Sequence, residues 1–186
     1  MKVIYQFKHK ASKWSGFFLA VALSLILNGC ASSPIILSET TIVPQNEGIV
    51  FGRVKVMSDG KTMRLTSIFG ARTWEISILP NGSSRAIYCL LNGEGYFYWH
   101  LPPGGYTIAG FEGGGGRIKG RLFAHFIVLR ENSVTYIGTL TILFAGERYT
   151  RFVEDEYDLA VTRFKSKFPK IKGEITKNSM KIEEHR

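Results

Sequence analysis

The sequence predicts an all-β domain, an antiparallel β-sandwich with one C-terminal amphipathic helix. Three observations predict it. From Ile49 onward, apolar and polar residues alternate in short runs, the period of a half-buried strand. Turn residues (Gly, Asn, Pro) separate these runs at intervals of roughly 8–14 residues, the spacing of an all-β fold. Aromatics make up 13% of the chain and glycines number 20, a mixture that suits pleated surfaces joined by tight turns.

Residues 1–29 precede the domain and read as an address. Lys2, Lys8, Lys10 and Lys13 stand before an apolar core from Phe17 to Leu27. A positive leader, a short apolar core and a small-residue junction form a secretory signal peptide. An uncleaved anchor is the alternative. At ~1.5 Å per helical residue, this core covers only about half of a ~30 Å hydrocarbon layer.

The core ends at Leu27-Asn28-Gly29-Cys30. This junction resembles the lipobox of bacterial lipoproteins, with Gly29 meeting the need for a small residue beside the thiol. The resemblance implies that the Cys30 sulfur receives a diacylglycerol and that the leader is cut before it. Several acyl chains on one residue would exceed the threshold for stable anchoring, at ~0.8 kcal/mol per buried CH₂. The alternative is an ordinary secreted protein cut near Ala31. By the same resemblance, Ala31 favours the outer membrane, facing the periplasm, in a host with two membranes. Residues 30–47 then read as a lipidated cysteine and tether, with Pro34, Pro44 and several Ser and Thr and no helical period.

Charge excludes one class of function. The chain has 24 basic and 15 acidic residues. Four lysines lie in the leader, and eight basic against three acidic residues lie from Arg163 to Arg186. The folded part is therefore near neutral, unlike a nucleic-acid-binding domain, whose basic surface belongs to the fold. No nucleic acid is expected as a partner.

The strands follow in order over residues 48–152. "IVFGRVKVM" sets Val50, Gly52, Val54 and Val56 against Arg53 and Lys55, and Asp59-Gly60 turns the chain. After the weaker "TMRLTSI", "RTWEISIL" alternates Trp74, Ile76 and Ile78 against Thr73, Glu75 and Ser77. "SRAIYCLL" places Cys89 among apolar neighbours, as a small buried hydrophobe, the alternative being a reactive thiol or one that pairs between chains. "YFYWHL" sets Phe97, Trp99 and Leu101 against Tyr96, Tyr98 and His100. "YTIAGF" and "RLFAHFIVL" flank a glycine loop. In "SVTYIGTLTILF", Val134, Tyr136, Gly138, Leu140 and Ile142 share a face. "ERYTRFV" adds an edge strand. Over residues 153–168, Val153, Tyr157, Val161, Phe164 and Phe168 make one helical stripe. Glu154, Asp155, Glu156 and Asp158 suit the helix start, Arg163, Lys165 and Lys167 suit its end, and Pro169 stops it. Residues 169–186 read as a frayed basic tail.

"HLPPGGYTIAGF", with "GIVFGRVKV" before it and "TYIGTLTI" after, resembles the transthyretin-like β-sandwich domains, among them carboxypeptidase regulatory-like domains. Leu101, Pro102, Gly104, Tyr106 and Ile108 carry the match. The resemblance implies a structural or binding module and supplies no catalytic residue.

Candidates for chemistry are few. Gly113 to Gly116 lack the spacing of a phosphate loop and lead into a strand. No metal-ligand spacing joins the histidines, although His100 and His125 could meet across strands. No G-x-S-x-G elbow occurs. No cofactor, metal or enzymatic activity is expected. If solvated, the Tyr96, Tyr98 and His100 face is a candidate partner surface for an envelope protein or glycan, as of an accessory subunit. Otherwise a helix covers it. The basic tail is a second candidate, for a membrane surface. A hydrolase with an unrecognised site is the remaining alternative. The expected function is a lipid-anchored cell-envelope protein with a structural or binding role.

Overall fold

A computed structural model describes residues 36–63, 65, 74–113, 116 and 118–183. The leader, Leu27, Asn28, Gly29 and Cys30, and most of "TMRLTSI", lie outside them. The described unit is mostly β, with two sheets and one helix. Its strands are β1 (Gly48–Ser58), β2 (Lys61–Thr62), β3 (Glu75–Pro80), β4 (Ile87–Leu90), β5 (Tyr96–Leu101), β6 (Gly104–Gly113), β7 (Ile118–Val128), β8 (Val134–Ala145) and β9 (Arg148–Glu154). Helix α1 (Tyr157–Lys167) follows, then β10 (Ile175–Lys177) and β11 (Lys181–Ile182).

The first sheet centres on β1. One edge of β1 pairs with β5 and β2, antiparallel, and the other pairs with β8. The far edge of β8 carries β10 and β9. The second sheet runs β11-β7-β6-β3-β4, antiparallel throughout. The expectation of a purely antiparallel sandwich is corrected at β8, which runs parallel to both β1 and β10. Parallel neighbours need a long connection. Here β2 to β7, four of them in the second sheet, supply it between β1 and β8, so no crossover helix is required.

The inner faces share one core. Val50, Val54, Phe97, Trp99, Leu101, Leu140 and Ile142 meet Ile76, Ile78, Cys89, Ile108, Leu122 and Phe126. Burial pushes the Cys89 thiol up to about 12, with Glu75 adding to the shift. It is an inert core group at neutral pH. At the turn between β5 and β6, Leu101 ends one buried strand and Tyr106 returns into the core. The Tyr106 hydroxyl donates to the Pro102 carbonyl at 2.8 Å, so the turn is closed by the residue that follows it.

The face assignment in β8 is corrected midway. The pairing passes from Phe51↔Tyr136 to Arg53↔Thr139, so Ile137 and Gly138 together oppose Gly52. This extra residue is a β-bulge, and it inverts the alternation. Val134 and Tyr136 point to the outer face, whereas Ile137, Leu140 and Ile142 enter the core. Gly138 has φ +100, and a Cβ there would lie 2.7 Å from Val153 Cγ1.

The outer face of the first sheet is covered by α1. Ile49 and Phe51 from β1, Tyr96 and Tyr98 from β5, and Val134 and Tyr136 from β8 pack against Ala160, Phe164 and Phe168. Phe164 stacks on Phe51 at 4.5 Å between centroids. Burying such a ring stabilises by about 1.5–3 kcal/mol. The helix is shorter than its stripe predicts, because Val153 and Glu154 belong to β9.

Among the described residues, both segments expected to be loose are folded. Ile36 bridges to Trp99, and Leu37, 2% exposed, donates its N–H to the Tyr98 carbonyl at 2.8 Å. Glu47 accepts from the Asn132 N–H at 2.8 Å. The tether thus lies on the domain from Ile36 onward. The tail is not frayed over residues 169–183. It adds β10 to the first sheet and β11 to the second, and Met180 between them is 4% exposed in the core.

Candidate functional site

Among the described residues, polar side chains gather in several places. The first is the outer face of β5. All six residues of β5 are buried, Tyr96 at 5%, Tyr98 at 6% and His100 at 5% exposed. The solvated aromatic platform is therefore corrected to a face under α1, because the helical stripe needs an apolar surface and this strand supplies it. What stays reachable is a groove of about 260 Å³, lined by Asn92, Glu94, Tyr96, Tyr98, Arg163 and Lys167. Arg163 pairs with Glu94 and lies 4.6 Å from the Tyr96 ring centroid, and Arg53 lies 5.0 Å from it. Lys167 sits 4.8 Å from the Tyr98 ring. Burial raises the Tyr98 hydroxyl above its usual 10.0, so it stays protonated at neutral pH.

His100 does not meet His125. β5 and β7 belong to different sheets, and both histidines alternate outward from the core. His100 Nδ1 and Glu47 Oε2 share a hydrogen bond, which fastens the tether to β5. His125 Nδ1 bonds the Thr107 hydroxyl at 2.8 Å, and its Nε2 lies 3.5 Å from Glu183. Among the described residues, no group of three His, Cys, Asp or Glu is arranged to hold a metal ion.

The second place is the acidic cluster, which the sequence assigns to capping. Its carboxylates serve the sheet instead. The bulge turns Thr139 and Thr141 outward, beside Arg53 and Lys55 of β1. Glu156 accepts from Thr139 at 3.0 Å and Arg53 at 3.3 Å. Glu154 accepts from Thr141 and, at 3.2 Å, from Lys55. Asp155 pairs with Lys177 of β10. Glu156 occupies the N-cap position of α1 without a side-chain cap bond, and its N–H donates to the Tyr136 hydroxyl at 2.8 Å. These carboxylates are neutralised braces, and none is left as an acid–base pair.

This cluster has a pH consequence. The Thr141 hydroxyl first, then Lys55 and Arg53, hold the Glu154 carboxyl below its ordinary 4.5, against desolvation. A depressed folded-state value contributes stability that is complete above the ordinary value and is lost as pH falls through the folded one. Below about 4.5, the urea midpoint of the wild type is expected to fall more steeply than that of Glu154→Gln. Parallel curves for the two would remove this role.

The third place is a groove of about 330 Å³ where the tether meets the end of α1. Ser38, Glu39, Thr40 and Thr41 line one side, and Lys167 to Ile171 line the other. The tether's docking was signalled by the apolar Ile35-Ile36-Leu37 run inside an otherwise polar stretch. No helix among the described residues is long and apolar enough to cross a membrane. No family model matches this chain, and no curated protein matches it.

Proposed function

We propose that this chain is a lipid-anchored protein of the cell envelope, held through Cys30, with a structural or binding role rather than a catalytic one. The observation that carries the reading is Leu27-Asn28-Gly29-Cys30 at the end of a lysine-led apolar leader. In a host with two membranes, Ala31 directs it to the outer membrane, facing the periplasm. The domain type is a transthyretin-like sandwich. The turn in which Tyr106 returns from Pro102 into the core supports that assignment, as do the strands on either side of it.

The arrangement of polar groups supports a non-catalytic role. The carboxylates of β9 and the α1 start are taken up by Lys55, Arg53 and Lys177. The grooves beside α1 lie at the surface.

Intact mass of the protein from a membrane fraction tests the reading. The wild type is expected to start at residue 30 and to carry diacylglycerol, and Cys30→Ser is expected to carry none. An unlipidated wild-type chain recovered from the soluble fraction would sink the proposal.

A further inference from the structure

The groove at the end of α1 has a chemistry of its own. Lys167 and Lys170 line it, and Lys172 follows, all three exposed. The carboxylate in its lining is that of Glu39. No ion pair joins these lysines to a carboxylate among the described residues. The tether turns over beside them, with the Thr41 N–H donating to the Ser38 carbonyl at 3.1 Å and Ser38 N–H to the Thr41 hydroxyl at 2.8 Å. The next residue is Ile42, 92% exposed. Its neighbour Val43 packs inward against the cluster under α1, so the backbone that presents Ile42 is fixed. An isoleucine held in water next to a turn that lines the groove, with lysines that have no carboxylate partner across from it, pairs an apolar tip with a cationic rim.

We propose that this face, Ile42 with Lys167, Lys170 and Lys172, rests on the bilayer surface, the isoleucine entering the interface and the lysines meeting anionic lipid headgroups. The inference builds on the anchoring of Cys30. Chain length favours it independently of how residues 30–35 are arranged. Cys30 and Ile36 are six residues apart, and six residues reach at most about 22 Å even when fully extended. Ile36 is bridged to Trp99, two residues before Ser38, where the tether enters the groove lining. The anchor therefore keeps this side of the domain within reach of the headgroups, where a basic residue is attracted and an exposed apolar one is buried. A lipid-anchored domain on a long linker would need no such face. Here the linker lies on the domain from Ile36 onward.

The test uses full-length protein purified from membranes with Ile42→Cys carrying an environment-sensitive fluorophore. Cys89, 1% exposed, stays unlabelled. Intact mass is read first and reports the anchor by itself. The protein is then placed with vesicles of phosphatidylcholine alone or of phosphatidylcholine with phosphatidylglycerol. Blue-shifted emission is expected with the anionic vesicles and not with the neutral ones. The ratio of embedded to water-facing label should fall about 5-fold for each lysine removed. Lys167→Glu/Lys170→Glu should therefore lose the shift, as should ~1 M salt, where charges are screened within ~3 Å. Lys167→Gln/Lys170→Gln, with its stems retained, gives the same direction at half the charge change. Lys61→Glu/Lys119→Glu, outside this groove, should keep the shift. Equal spectra on the two compositions, or equal loss in the two Glu double variants, overturn the face. If intact mass shows no acyl chains, the label goes onto Cys30→Ser/Ile42→Cys, and a shift on anionic vesicles would then sink the anchor and leave the face standing.

Discussion

Trp99→Ala is expected to lower the stability of the domain by about 3–5 kcal/mol, the range for deleting a large buried aromatic. Trp99 is 1% exposed. Its ring stacks on Phe97 at 3.9 Å between centroids and leans on Phe126 of the other sheet at 6.3 Å. It also lies opposite Val50 in the pairing of β1 and β5, and Ile36 bridges to its backbone. One side chain thus touches both sheets, and its removal opens a cavity between them. Total stabilities of single domains are about 5–15 kcal/mol, so the loss is a large part of the whole. The urea midpoint should fall with little change in slope. Trp99→Phe should lose clearly less, since a ring still fills part of the space. A midpoint for Trp99→Ala near that of wild type would mean that the sheets do not pack around this residue.

Gly95→Ala is expected to cost about 2–5 kcal/mol from backbone conformation and overlap together. Gly95 has φ +80, and an added Cβ would stand 1.9 Å from the Val54 carbonyl oxygen. The turn cannot move aside easily. Asn92 Oδ1 accepts from the N–H groups of Glu94 at 3.1 Å and Tyr96 at 3.0 Å, and the Gly95 carbonyl accepts from Val54 at 2.8 Å. This turn carries the chain from β4 in one sheet to β5 in the other, so its distortion is passed to both. Chemical denaturation of Gly95→Ala beside Gly60→Ala makes the comparison. Gly60 also has positive φ but has nothing near its added Cβ, so the difference between the two measures the overlap. Equal losses would show that β1 and the turn are not in close contact.

The strands and the helix stripe were legible because alternation and 3.6-residue spacing follow directly from burial on one face. Val50, Val54 and Val56 point inward and Arg53 and Lys55 outward, as the pattern of β1 alone requires. The β8 inversion was not legible. Gly138 interrupts an otherwise regular alternation, and whether a glycine marks a bulge depends on what lies across from it, here Gly52. The acidic cluster misled for a related reason. Acidic residues at a helix start suit the dipole, and only the inverted β8 face shows that Thr139, Thr141, Lys55 and Arg53 claim Glu154 and Glu156 first. Tyr96 and Tyr98 were placed on the right face of β5, but alternation does not say what lies over a face. The tail was missed because β10 and β11 are too short to show a period, and they exist through pairing with β8 and β7.

The parallel pairing of β1 with β8 also sets an order of events in time. A strand made early waits for a partner made late, and the last partner edges, those of β10 and β11, come near the end of the chain. Contacts so distant along the sequence slow folding, because a large loop must close before any of them forms. Until β8 arrives, one long edge of β1, rich in valine, stands unpaired. An unpaired edge is a template for another chain. The interval between the synthesis of β1 and that of β8 is therefore when this protein is most exposed to aggregation, and the finished sandwich, with β8 in place along that edge, is past that hazard.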